Sequence, residues 1–133
     1  MPRKISRKNL IKKLDTIFSI YIRLKYSDKK GFVKCYTCGK IKHYKDYMQN
    51  GHMISRRHMM LRYSEKNCRP QCYGCNVMSQ GRQLEFAMNL NEEYGYDIAS
   101  ELLIESKKTK KYSNDELIDL ANRYKILVDY MNK

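Results

Sequence analysis

Long apolar runs are missing from this chain of 133 residues. No stretch approaches the roughly 20 apolar residues that a spanning helix needs, so a helical membrane protein is excluded. Met1-Pro2-Arg3-Lys4 is basic, but no apolar segment follows it, so the opening does not read as a secretory signal. The expected compartment is the cytoplasm. Five cysteines in a reducing compartment predict metal ligands, not disulfides. Acid is also scarce: Asp and Glu number 14 against 27 Lys and Arg, for a net charge of +13. The shortage is local. Residues 1–82 carry 20 basic and 4 acidic side chains, and residues 83–133 carry 7 and 10. Such asymmetry predicts a polyanionic partner, most simply nucleic acid. Solvated lysines in a Lys-rich proteome are the alternative. A membrane surface fits less well, because the basic part lacks an amphipathic design. There is no internal repeat. Tryptophan is absent, so any aromatic stacking on bases falls to the 12 tyrosines, and the sequence singles out none of them.

The length predicts one domain, residues 1–133, with a modest core that a bound metal would help to fold. The expected class is α+β and mostly helical. A small metal-held core spans 32–82, with an N-terminal helix over 6–27 and C-terminal helices over 83–133. Ser6 caps the first helix, whose apolar face runs Leu10, Leu14, Ile17, Tyr21 and Leu24, widened by Ile11, Phe18 and Ile22. Residues 32–82 are irregular, with strand-like pieces "FVKCYTC" and "GHMIS". Helical period returns near Arg82, where Leu84, Met88 and Tyr94 suggest one face and Gly95 a break. Asp97 caps a short helix carrying Ile98, Leu102 and Leu103. "KKTKK" (107–111) reads as a link. Ser113 to Glu116 forms a capping box. It opens a last helix with Leu117, Leu120, Ala121, Tyr124, Leu127, Val128 and Met131 on one side.

Cys35-x-x-Cys38 and Cys72-x-x-Cys75 form two knuckles, and four thiolates satisfy a tetrahedral zinc ion. Gly39 and Gly74 suit the tight turns of such knuckles. Cys68 is left over, either as a small buried residue or as a ligand in place of a neighbour. Zinc alone would mean only a stapled fold. The segment between the knuckles adds His52, in "NGHMISRRH", among Arg56, Arg57, Arg62, Lys66 and Arg69. It also adds Asn67, and Asn76 stands directly after Cys75. Bland readings exist: a turn or helix cap for Asn67, and an N-cap for Asn76.

The order Cys-x-x-Cys, His, Asn, Cys-x-x-Cys-Asn resembles the HNH, or ββα-metal, nucleases. That resemblance implies a small zinc-stapled ββα-metal core. His52 would be the general base and Asn67 would orient the histidine loop. Asn76 would ligate a catalytic magnesium or manganese ion. These residue types fit the chemistry. A near-neutral imidazole can deprotonate water, an amide oxygen suits a hard cation, and a divalent ion neutralises a phosphodiester. Many HNH sites carry Asp before the histidine; here that position is Gly51. Glu65 is the preferred second ligand and Asp46 the other nearby acid.

A longer match, from "CYTCGK" through "NGHMISRRHMMLRYSEKNCRPQCYGCN" to "NEEYGYDIASEL", resembles the bacteriophage NinG/Rap recombination nucleases. It rests on Arg62-Tyr63-x-Glu65-x-Asn67, Gln71 to Asn76, Gly81, and the spacing Leu90, Gly95, Leu102. The family shares the glycine before the histidine. The resemblance implies metal-dependent nicking of branched DNA, such as Holliday junctions and D-loops, in the cytoplasm of an infected host. Two symmetric nicks imply a homodimer, joined through the N-terminal helix or through 114–131. Arg56, Arg57, Arg62, Lys66 and Arg69 would meet backbone phosphates. Two other readings stay open: a zinc-stapled DNA-binding module without chemistry, and an HNH nuclease of homing, restriction or packaging.

Overall fold

The structure is a computed structural model and describes residues 5–132. The basic opening Met1 to Lys4 lies outside them. The first helix, α1 (Arg7–Lys25), starts where expected: Ser6 Oγ accepts from the Asn9 amide at 3.2 Å. Leu10, Leu14, Phe18 and Ile22, four residues apart, are its buried line. Ile17 and Tyr21, placed on the central face by sequence, pack at its margin. Opposite lies α5 (Asn114–Met131), opened by the capping box of Ser113 and Glu116. It buries Leu117, Ala121, Tyr124 and Val128. Phe18 meets Tyr124 and Tyr63 edge-on, with centroids 4.9 and 5.7 Å away. The apolar stripes of α1 and α5 are therefore spent on each other.

Two antiparallel strand pairs sit beside this helix pair. The strands β1 (Phe32–Lys34) and β2 (Ile41–His43) flank the first knuckle. The strands β3 (Met48–His52) and β4 (Cys68–Cys72) form a second pair, with Met48 opposite Cys72 and His52 opposite Cys68. The strand-like "GHMIS" is thus only half right: the strand ends at His52 and begins earlier, through polar Gln49 and Asn50. Between β3 and β4 lie the short helix α2 (Met59–Arg62) and a single 3-10 turn, Glu65–Asn67. A π turn, Gly74–Met78, leads to α3 (Gln83–Tyr94), and α4 (Ile98–Ser106) follows. Gly95, at φ 75°, ends α3, and Asp97 caps α4 by accepting from the Ser100 amide. Phe86 and Leu90 are the buried pair of α3, packed with Met53, Leu61, Ile98 and Leu102. Leu84 and Met88 face outward at 72% and 61% exposure, which corrects the expected face. Among the described residues no helix is long and apolar enough to cross a membrane.

Candidate active site

The knuckles meet. The sulfurs of Cys35, Cys38, Cys72 and Cys75 all lie within 4.8 Å of one another. Tetrahedral zinc with bonds of about 2.3 Å sets sulfurs about 3.8 Å apart, and Cys38 and Cys72 stand at 3.7 Å. The four thiols therefore fit one zinc ion. Gly39 turns in the left-handed region at φ 79°, as a knuckle turn requires; Gly74 does not. The Cys75 amide donates to Cys72 Sγ at 3.4 Å. Cys68 is fully buried against α1 and α5, away from the cluster, and serves as packing. The knuckles tie β4 and the π turn to the loop after β1. This fixes Asn76, one residue beyond Cys75, relative to the second strand pair.

His52 ends β3 and is half-buried. Its Nε2 lies 3.0 Å from the Arg62 carbonyl. A carbonyl only accepts, so Nε2 carries the hydrogen and the basic lone pair belongs to Nδ1. Burial chiefly, helped by the charges of Arg56 and Arg62, lowers the imidazole below its ordinary range, against the Arg62 carbonyl and Asp15. The ring is thus neutral at physiological pH, as a base must be.

Asn67 is wholly buried. Its Oδ1 accepts from the Ile54 amide at 2.8 Å, and its Nδ2 donates to the Ile54 and Leu61 carbonyls at 2.9 and 3.3 Å. The side chain clamps both ends of the segment that leaves His52 and returns as α2. A turn or cap would need one such bond; three from a buried amide hold a loop in place.

The His52 ring and the Asn76 amide line one cleft of about 650 Å³, between α1, β3 and the π turn. Asn76 Nδ2 donates to Gln49 Oε1 at 2.6 Å, and Oδ1 has no protein donor among the described residues. Arg23, Arg56 and Arg62 also line the cleft. The turn that carries Asn76 leaves through three consecutive left-handed residues, Gln80, Gly81 and Arg82, at φ 54°, 89° and 44°. Two of them are not glycine, so the reversal stores backbone strain beside the cleft. Gly81 is held at both ends, its amide on the Cys75 carbonyl and its carbonyl on Gln71 Nε2.

Gly51 has a steric cause. A Cβ there would overlap the Gln71 side chain, whose Nε2 is committed to Thr37 Oγ1 and the Gly81 carbonyl. The missing acid is not replaced by Glu65, whose Oε1 takes Tyr21 Oη at 2.9 Å and Lys25 Nζ at 3.0 Å, outside the cleft. Asp46 is exposed in the turn after β2 and is also outside. Among the described residues, the one carboxylate lining the cleft is Asp15, from the polar side of α1. Sequence reasoning missed it. It sits 37 positions before His52, and only its place one turn from Ser19 and two from Arg23 marks a polar stripe.

The basic residues divide. Arg56 and Arg57 are exposed, with Arg56 at the cleft, and Lys66 is exposed away from it. Arg62 reaches the cleft but is tied to Asp15. Arg69 corrects the expectation outright: it is 1% exposed and cannot meet a phosphate. Its guanidinium bonds Glu93, Tyr94 and the carbonyls of Glu65 and Cys68. The rings of Tyr26, Tyr36 and Tyr94 enclose it at 5.0 to 5.6 Å. Arg23 was not foreseen as a cleft cation; its Nη1 donates to the Tyr44 carbonyl at 2.6 Å.

No curated protein and no solved structure matches this chain. The family model described as Bacteriophage Lambda NinG protein matches residues 3–133. With its knuckles closed on four thiols and His52 and Asn76 sharing one cleft, the chain belongs to the NinG family of bacteriophage proteins.

Proposed function

We propose that this protein is a metal-dependent endodeoxyribonuclease that nicks branched DNA, such as Holliday junctions and D-loops, in phage recombination. One observation carries the reading: a histidine whose Nε2 is committed to a carbonyl shares a cleft with an asparagine whose Oδ1 has no protein donor. A non-catalytic zinc module has no need of that pairing.

In this reading a phosphodiester lies along Arg23 and Arg56, which contact its backbone without reading sequence. His52 Nδ1 takes a proton from a water as the water oxygen bonds to phosphorus. The P–O ester bond breaks, and the leaving oxygen is protonated from solvent. Asn67 keeps the histidine segment in place. A divalent ion, magnesium or manganese, neutralises phosphate charge and stabilises the leaving oxygen when bound. Asn76 Oδ1 would hold it, with waters and phosphate oxygens completing the shell.

The test uses a labelled four-way junction and a linear duplex, each with and without magnesium or manganese, with His52→Ala alongside. Metal-dependent nicking of the junction by the wild type alone is the expected result. Equal cutting of linear duplex would assign the same chemistry to an HNH enzyme of another biology. Tight junction binding by both proteins with no cutting under any metal would leave a binding module in its place.

A further inference from the structure

We infer that Asp15 on α1 is a positioning residue for His52, acting through Arg62. The functional meaning rests on the nuclease reading above; the coupling itself does not. The His52 hydrogen bond depends on where the Arg62 carbonyl sits. That carbonyl belongs to α2, a helix of 4 residues with no side-chain cap at His58. A single turn does not hold itself. The Arg62 side chain supplies an anchor. Its Nε and Nη2 donate to the two oxygens of Asp15 at 2.9 and 2.5 Å, and its Nη1 donates to the Arg56 carbonyl at 3.1 Å. Tyr63 Oη adds a third bond to Asp15 Oδ1, at 2.8 Å. One carboxylate therefore grips two consecutive residues of the segment that accepts the His52 Nε2 hydrogen bond.

The anchor is rigid. Asp15 follows Leu14 and precedes Phe18 on a 19-residue helix, and both apolar neighbours are at most 1% exposed. A forked, two-point arginine–carboxylate bond fixes orientation as well as distance. The pair is largely shielded, with side chains 16% and 23% accessible. The same geometry argues against Asp15 as a ligand of the catalytic ion. Both of its oxygens are occupied by three donors, and coordination would require Arg62 to let go.

The experiment compares zinc-loaded wild type, Asp15→Asn and Arg62→Met by ¹⁵N NMR of the His52 ring. Manganese affinity and junction-nicking kinetics are measured in parallel. Asp15→Asn keeps an acceptor for Tyr63, and Arg62→Met leaves the Asp15–Tyr63 bond in place. If one variant fails to fold, by circular dichroism and zinc content, the other reads the same coupling. The expected result is a loss of the Nε2–H tautomer preference in each variant, with manganese affinity unchanged. The nicking kcat should fall about 100-fold, as misplacement of a reacting group by about 1 Å does, while KM stays within about 3-fold. The double variant should be no worse than either single one, since both break one link. Unchanged His52 ring signals would overturn the proposal. So would a loss of manganese affinity in Asp15→Asn with the ring undisturbed, which would make Asp15 a metal ligand. If the wild type cuts no DNA, the ring signals still decide the coupling, and only the nuclease reading fails.

Discussion

His52 works, in the proposed chemistry, only while its ring is neutral. Burial and two nearby arginines hold its pKa below the ordinary range, so the proton is already gone at neutral pH. Nicking should therefore rise with pH to a midpoint below about 6.5, the unperturbed histidine value, and stay flat above it. A kcat–pH profile with its midpoint above that value would contradict the assignment. Asn67→Ala would strip one acceptor and two donors from a wholly buried site and strand the Ile54 amide and carbonyl. A loss of about 2–4 kcal/mol is expected in urea unfolding. Gly51→Asp, which restores the acid common in HNH sites, should not raise manganese affinity in calorimetric titration. Its Cβ would displace Gln71, so a lower Tm is expected instead. At this scale the sequence was legible where placement is local to a motif: the four cysteines meet, Asn67 clamps its loop, and His52 and Asn76 line one cleft. It misled at Arg69 and Glu65, whose charges are answered by Glu93 and Lys25, neighbours that only the fold supplies.

Helices were legible where their ends carry signals of their own. Ser6, Asp97 and the Ser113–Glu116 box cap their helices as read, and Gly95 ends α3 in the left-handed region. Ser113→Ala should cost about 1 kcal/mol, visible as a lower Tm, because it removes the acceptor for the Glu116 amide. Faces were harder. In α3, Leu84 and Met88 are four apart, and so are Phe86 and Leu90, on nearly opposite sides. Periodicity cannot choose between two apolar pairs; the packing of α4 does, by covering Phe86 and Leu90. The strand β3 was half hidden for a related reason: Gln49 and Asn50 are polar because that strand borders the cleft, not because it lies in a loop.

Across the whole molecule, α1 has two jobs on two sides. Its apolar line closes the core with α5, and its polar line of Asp15, Ser19 and Arg23 forms one wall of the cleft. The zinc knuckles, through Cys75 and Asn76, hold another. Zinc chelation should accordingly abolish nicking even with magnesium in excess, with loss of near-ultraviolet tyrosine signal as the structural readout. The sequence showed both walls as separate pieces but not their meeting, because nothing local links residue 15 to residue 52. That meeting has a temporal side. During translation α1 emerges long before α5, so its apolar line has only part of its cover, from Tyr63 and Cys68, until synthesis has passed residue 128. A nascent chain can own its knuckles and its histidine yet lack a seated wall opposite them. In the nuclease reading, the arrangement delays a complete cleft until the later part of the chain has been made, so that an abandoned translation product would not cut DNA.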